Sequence, residues 1–217
     1  MSSEFREPLF NHSGFTDARV PLGELLPSIH RWYEHANSEP SFFLQESPNY
    51  DSFRRILSST GYSTLDKHVV LSLRRPRFEL TVAGECTLVN EERADEWSRA
   101  YLSAFYGENS LFKSVLASVK RALGGGESNL MLAEFDGKTA GTLAIHTHGG
   151  YSGVYCVGTV PEFRGKGIAT KMLSEAQKFT QKQRTTLVLQ TFASDSVENF
   201  YLRRGFERAY VKDVLVL

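Results

Sequence analysis

The chain has 217 residues, 41% of them hydrophobic and 23% charged, which is the composition of a globular protein with one large domain or two small ones. Its 25 basic and 25 acidic residues balance, so nucleic acid and membrane surfaces are not expected partners. The polar N-terminus lacks a signal-peptide core, and no apolar run reaches the roughly 18 residues of a membrane span. We therefore expect a soluble cytoplasmic protein, in which the only cysteines, Cys86 and Cys156, are buried thiols.

The first 75 residues have the pattern of a small α/β segment. Apolar residues at helical spacing, short apolar runs and glycine punctuation give the boundaries. The three arginines and one proline of residues 74–77 then interrupt the pattern, so we place a boundary between an N-terminal segment, 1–75, and a domain, 78–217. The predicted elements of the segment are a helix over 25–36, a strand over 42–45, a helix over 51–58 and a strand over 69–73.

Residues 78–217 alternate between strand and helix patterns. The Asp136-Gly137 pair predicts a tight hairpin turn, and Asp195 and Glu198 have the spacing of a capping box before a short helix. This order predicts an α/β fold with a mixed central sheet flanked by helices. The predicted elements are strands over 78–82 and 86–89, helices over 90–105 and 110–123, strands over 130–135, 142–145 and 154–160, a helix over 168–179, a strand over 186–191, a short helix ending at Gly205, and a strand over 210–217.

A weak internal repeat links the two parts of the chain. The strand, helix and strand patterns over 42–73 recur over 187–217, and the same interval of 144 residues separates Gly61 from Gly205. The first copy has no counterpart of the glycine loop described next. Two readings stay open, a degraded duplication and a chance likeness between two short units of the same type.

The most informative stretch is a strand, a short basic glycine loop and a helix within residues 154–173. Gly165 and Gly167 let the backbone approach a ligand closely, and Arg164 and Lys166 add positive charge. The first N–H groups of a helix have no intrahelical partner, and the helix dipole adds partial positive charge there. The sequence therefore predicts a phosphate cradle at the start of this helix.

Two signatures together resemble those of the GNAT (GCN5-related N-acetyltransferase) superfamily. Arg164, Gly167 and Ala169 occupy the defined positions of the loop Gln/Arg-x-x-Gly-x-Gly/Ala. Residues 199–206 are similar to the second signature, a helix that carries a tyrosine before Gly-Phe. The resemblance covers about residues 80–217 in element order. The N-terminal segment, 1–75, is then either a degenerate GNAT-like half or a segment that covers the acceptor cleft or forms a dimer contact.

The resemblance implies that acetyl-CoA is the cosubstrate, without a metal. Tyr201 corresponds to the general acid that protonates the CoA thiolate, and Ser194 stands where the family often has an asparagine that contacts CoA. Many members carry a glutamate base on the strand before the loop, but residues 151–160 contain no carboxylate, so Glu134, His146, His148 or a water chain remain candidates. The residues implied in cofactor binding are Thr159, Val160, Arg164, Gly165, Lys166, Gly167, Ile168, Ala169, Thr170, Ser194 and Asn199.

The implied activity is acetyl transfer from acetyl-CoA to a primary amine, by direct attack in a ternary complex, in a monomer or a homodimer. The alternative is a non-catalytic acyl-CoA-binding or interaction module of the same fold. His146 and His148 have the spacing of a metal pair on one strand face, but no third ligand is evident, so an ordinary strand pair is favoured. The end of the first helix of the 78–217 domain usually shapes the acceptor pocket in this family, here Tyr101, Phe105, Tyr106 and Glu108.

Overall fold

A computed structural model describes residues 7–77 and 84–217 of the chain. The predicted strand over 78–82 lies outside the described residues. The helices are α1 (Leu22–His35), α2 (Asp51–Ser59), α3 (Ala94–Phe105), α4 (Phe112–Gly124), α5 (Ile168–Gln183) and α6 (Glu198–Leu202). The strands are β1 (Ser13–Gly14), β2 (Ser41–Gln45), β3 (Ser63–Leu73), β4 (Glu85–Leu88), β5 (Ser128–Phe135), β6 (Lys138–His148), β7 (Tyr151–Thr159), β8 (Thr186–Phe192) and β9 (Phe206–Val216).

The chain forms two compact units. The first contains the N-terminal residues up to Leu71 together with Gln190–Phe200 and Arg208–Leu217, so the C-terminal strand belongs to the same unit as the N-terminal elements. The second contains Ser72–Leu189 and Tyr201–Glu207. No helix of the described residues is long and apolar enough to cross a membrane.

In the first unit the strand order is β1-β2-β9-β3, and β2 runs antiparallel to β9. Alternation along β2 places Phe42 and Leu44 on one face, where they pack with side chains of α1 and α2. Both helices are amphipathic and bury the apolar stripe that faces this sheet. The buried cluster consists of Leu22, Leu26, Phe42, Leu44, Phe53, Leu57, Tyr62 and Leu215.

In the second unit the strand order is β8-β7-β6-β5-β4. The pair β7–β8 is parallel and the others are antiparallel. Helix α5 covers one face, because a Cβ on Gly141 would meet Ile168 and Met172 within 3.0 Å. Helix α3 covers the other face, because a Cβ on Gly158 would lie 2.5 Å from the ring of Phe105. The missing side chains thus let both helices lie close to the sheet.

The predicted fold class, a mixed α/β fold with a large central sheet flanked by helices, is confirmed. The Asp136-Gly137 turn joins β5 to β6, and both residues have positive φ (51° and 70°), as a two-residue hairpin turn requires. The capping-box prediction is wrong. The Asp195 carboxylate accepts hydrogen bonds from the Phe192 N–H and the Thr191 hydroxyl, and α6 begins three residues later at Glu198. The side chain therefore stabilises the turn after β8 instead of the helix.

The two copies of the internal repeat have the same element order. Each consists of a strand, a helix and a long strand, β2-α2-β3 and β8-α6-β9. The helices end alike, since Gly61 (φ 99°) and Gly205 (φ 89°) both have left-handed backbone, followed by a buried aromatic residue, Tyr62 or Phe206.

Candidate functional site

The site in the second unit begins at a free strand edge on β7. The pairing of β7 with β8 ends at Val154, opposite Leu189, whereas β7 continues to Thr159. From Tyr155 onward, the backbone groups of β7 that would face β8 are not used by that pairing. They remain available to a ligand that lies along the strand.

A β-bulge lies at the start of this free edge. Thr142 of β6 pairs with Gly158 and Ala144 pairs with Tyr155, so one residue of β6 stands opposite two of β7. Cys156 has φ 54°, a left-handed conformation that is rare for residues other than glycine, and its carbonyl accepts a hydrogen bond of 3.0 Å from the Thr142 hydroxyl. Burial raises the pKa of Cys156 to about 12, so its thiol stays protonated near neutral pH and is a poor nucleophile.

The glycine loop lies between the end of β7 and α5. Gly165 (φ 78°) and Gly167 (φ 81°) both have the left-handed conformation that favours glycine. The Lys171 N–H donates to the Gly167 carbonyl at 3.0 Å, so the N–H groups of the three residues between them are the free donors of the first helical turn. These donors and the helix dipole form an anion site at the end of the free edge of β7.

The two basic side chains of the loop have partners within the protein. Arg164 donates from Nη2 to the Ala104 carbonyl at 3.0 Å and from Nε to the Thr159 carbonyl at 3.4 Å. The Lys166 ammonium lies 4.9 Å from the ring centroid of Phe135. Arg164 thus links the last turn of α3 to the end of β7, and the anion donors that remain are the backbone amides at the start of α5 and the Lys166 ammonium.

The second signature lies next to the loop helix. Tyr201 is 9% exposed and packs edge-on against Phe206, with ring centroids 5.8 Å apart. Arg204 donates to the buried Thr170 hydroxyl from Nε at 2.9 Å and from Nη2 at 2.6 Å. Pattern alone would assign Arg204 to a solvated face, but the structure shows that it connects this signature to the first turn of α5. No local signal indicates this partner, which lies 34 positions away.

Two predicted CoA-binding residues belong to the first unit. Ser194 donates a hydrogen bond of 2.5 Å to the Asp66 carboxylate, and Asn199 is exposed on α6. The other predicted CoA-binding residues are brought together at the free edge of β7 and the glycine loop. They are Thr159, Val160, Arg164, Gly165, Lys166, Gly167, Ile168, Ala169 and Thr170.

The residues predicted to shape the acceptor pocket lie where α3 meets β7. Tyr101 contacts the rings of Phe105 and Tyr106, with centroids 4.9 and 5.9 Å away. Phe105 is half-exposed and lies against the backbone of Gly158. Glu108 is exposed and accepts a hydrogen bond of 3.0 Å from Ser110. Phe105 therefore lines the α3 face of the free edge, and Tyr101 packs beside it.

The candidate bases differ in their surroundings. Glu134 accepts a 2.6 Å hydrogen bond from Arg93, which also forms an ion pair with Glu96. His146 and His148 lie on β6, opposite Gly153 and Tyr151 of β7. Among the described residues, no group of three or more His, Cys, Asp or Glu side chains could hold a metal ion.

One family model matches part of the chain. Residues 126–208 match the family model described as an acetyltransferase (GNAT) domain. No curated protein matches the sequence. The GNAT resemblance expected from the two signatures is therefore confirmed for a region that contains both of them.

Solved structures share the fold at low sequence identity. A conserved protein of unknown function from Staphylococcus epidermidis is 14% identical with a TM-score of 0.71, over 97% of this chain and 86% of that one. A GCN5-related N-acetyltransferase from Kribbella flavida is 20% identical with a TM-score of 0.65, over 94% and 77%. A tandem GNAT protein from the clavulanic acid biosynthesis pathway is 13% identical with a TM-score of 0.66, over 89% and 68%.

Proposed function

We propose that the protein is an N-acetyltransferase that transfers the acetyl group of acetyl-CoA to a primary amine. The observation that carries this proposal is the free edge of β7 that runs from Tyr155 to a helix N-terminus with two left-handed glycines. The free strand edge can pair with the amides of an extended chain, and the helix N-terminus that follows it can bind a pyrophosphate at the end of that chain. The pantetheine arm and pyrophosphate of acetyl-CoA have this chemistry.

The pyrophosphate is assigned to the free backbone N–H groups at the start of α5, since the Arg164 and Lys166 N–H groups of the loop already donate to the Pro161 and Phe163 carbonyls. The pantetheine amides are assigned to the free edge up to Thr159 and Val160, which places the thioester toward the bulge at Cys156. There a backbone N–H of β7 can polarise the thioester carbonyl as charge develops on its oxygen. The Thr170 hydroxyl is already bonded to Arg204, so we assign it to positioning the first turn of α5.

The reaction proposed is direct attack in a ternary complex. The amine nitrogen attacks the thioester carbonyl carbon, the carbon–nitrogen bond forms and the carbon–sulfur bond breaks. Tyr201 donates a proton to the departing thiolate, for which a phenol has a matching basicity. A covalent acyl-enzyme on Cys156 is not proposed, because its thiol stays protonated near neutral pH.

Substitution of Tyr201 by Phe tests this assignment. We expect kcat for CoA release to fall by about 100-fold, the scale of one general acid, while the Kd for acetyl-CoA changes little. The control is Tyr50→Phe, which removes a half-buried phenol of the first unit. Unchanged kcat in Tyr201→Phe would exclude Tyr201 as the acid.

A non-catalytic acyl-CoA-binding module is the second candidate, since no carboxylate lies on β7. A panel of amines separates the two candidates. Tight acetyl-CoA binding without acetylation of any amine would favour the module.

We also propose that the N-terminal segment, 1–75, is a degenerate GNAT-like half. The support is the repeated order strand, helix, left-handed glycine and long strand, together with the likeness to a tandem GNAT protein. The first copy has no glycine loop between strand and helix, so acetyl-CoA binding is assigned to the second copy alone.

A further inference from the structure

None of the signature residues corresponds to the base that must take a proton from the acceptor amine. An alkylammonium must lose a proton before its nitrogen can attack, so a basic group has to lie near the inner end of the free edge of β7. The side chains around Tyr155 are therefore the relevant ones.

Gly153 gives Tyr155 an unusual position. A Cβ built on Gly153 would lie 2.6 Å from the Tyr155 hydroxyl oxygen, so the phenol folds back over the space that a side chain at position 153 would fill. The ring remains 44% exposed. A polar hydroxyl thus occupies the strand face directly before the bulge, without closing it to solvent.

His146 lies opposite Gly153 on the neighbouring strand. Gly153 pairs with His146 and Tyr155 pairs with Ala144, so all these positions share one face of the β6–β7 hairpin. Directly opposed residues have Cβ atoms about 5 Å apart, so one bridging water can join the imidazole to a hydroxyl placed over Gly153.

This face is also the acceptor side of the site. Gly158 pairs with Thr142, on the same face of β6 as Ala144 and His146, and the Phe105 ring lies against Gly158. Tyr155 and Phe105 therefore lie on the same face of the free edge. Tyr155 is at its start, next to the bulge, and Phe105 is near its end, at Gly158.

The outer end of the arrangement reaches solvent. The His146 Nδ1 atom lies 3.3 Å from the Ser128 hydroxyl, and its Nε2 atom lies 3.8 Å from the Glu127 carboxylate, which is 70% exposed. When Nδ1–H donates to Ser128, the Nε2 lone pair is available to accept a proton.

We propose that Tyr155 and His146 form the proton relay that deprotonates the acceptor amine, with Glu127 at its outer end. This inference rests on the proposed acetyl transfer. The ammonium gives one proton to the Tyr155 oxygen as the Tyr155 hydroxyl proton passes through a bridging water to His146, and the neutral amine then attacks the thioester. After the attack, the nitrogen loses a second proton, which returns to Tyr201 and replaces the one that Tyr201 gives to the CoA sulfur. The proton on His146 leaves to solvent past Glu127.

The test compares His146→Gln and Tyr155→Phe with two acceptors, an alkylamine and a weakly basic amine that is already neutral near pH 7. We expect kcat/KM for the alkylamine to fall about 100-fold in His146→Gln. The loss should be only a few-fold for the weakly basic amine, because its nitrogen needs no deprotonation. The Kd for acetyl-CoA should stay unchanged. Exogenous imidazole should restore alkylamine turnover in His146→Gly, which a purely structural role would not allow.

His35→Gln, an exposed histidine of α1, is the silent control, and His148→Gln tests the neighbouring imidazole. Equal losses for both amines, no loss in His146→Gln, or a loss in His148→Gln alone would overturn the relay while leaving the acetyl transfer in place. Wild-type protein that binds acetyl-CoA but acetylates no amine would overturn the proposed function and the relay with it.

Discussion

Arg164 shows that one residue of the loop signature has a structural task. Its guanidinium is bonded to the carbonyls of Ala104 and Thr159, so it joins the end of α3 to the end of β7. The sequence predicts the charge near a phosphate, but its partners could not be predicted, because Ala104 lies 60 positions away and offers only a backbone oxygen.

Replacement of Arg164 by Gln should loosen the acceptor side of the site. We expect the free energy of unfolding to fall by about 1 kcal/mol, since two exposed charge-assisted hydrogen bonds are lost. The KM for the amine should rise more than the KM for acetyl-CoA, because Ala104 neighbours Phe105. Steady-state kinetics with each substrate varied check this. A rise confined to acetyl-CoA would instead mean that the guanidinium serves the phosphates.

His68 makes the stability of the first unit sensitive to acid. It is 4% exposed between the rings of Phe43 and Phe192, and its Nδ1 has no hydrogen-bond partner among the described residues. Burial, followed by the nearby charges of Lys212 and His12, lowers the pKa of His68 to about 4, and the Asp66 charge only partly opposes this. The folded state thus keeps the imidazole neutral where the unfolded chain, with a pKa near 6.5, takes up a proton.

Stability contributed by neutral His68 is therefore complete above pH 6.5 and is lost as the pH falls through about 4. The loss should be on the order of 3 kcal/mol. His68→Phe should flatten this part of the pH profile in urea unfolding, whereas His35→Phe, at an exposed position, should leave it unchanged. An equally steep acid loss in His68→Phe would contradict this account.

At the scale of elements, local patterns predicted most helices and strands. The Asp136-Gly137 hairpin follows from turn chemistry. The separation of β7 from β8 beyond Val154 could not be predicted, since strand pairing depends on residues far apart in sequence. The sequence therefore predicts the glycine loop of the candidate site but not the free edge of β7.

Gly167→Val tests the junction between the free edge and α5. A branched side chain at φ 81° is strained, and its methyl groups would stand in front of the first N–H groups of the helix. We expect the affinity for acetyl-CoA to fall at least tenfold in calorimetry. Gly126→Val is the matched control, because Gly126 also has positive φ (73°) with open space around it, outside the loop. Equal affinities in wild type and Gly167→Val would refute the cradle.

At the scale of the whole molecule, the two copies of the repeat use the same helix-ending glycine in different surroundings. A Cβ on Gly205 would lie 1.6 Å from the Arg75 carbonyl oxygen, whereas a Cβ on Gly61 would meet only the Leu217 side chain at 3.5 Å. The sequence predicted the equivalence of the glycines. It could not predict this contact, because Arg75 lies 130 positions from Gly205.

Alanine at the two positions should therefore have unequal effects. Gly61→Ala should lower the free energy of unfolding by about 1 kcal/mol, the cost of a left-handed alanine. Gly205→Ala should lower it by more than about 3 kcal/mol, because a backbone segment must also move. Urea unfolding of both variants decides the point, and equal losses would show that residues 74–77 adapt freely.

The central claim, acetyl transfer from acetyl-CoA to an amine, is tested most directly by isotope labelling. The protein is incubated with acetyl-CoA labelled in the acetyl group and a mixture of primary amines, and the products are identified by mass spectrometry. We predict a labelled N-acetyl amine in amounts equal to the CoA released, formed about 100-fold more slowly in Tyr201→Phe. Bound acetyl-CoA with no labelled amine, or CoA release that yields only labelled acetate, would contradict the claim.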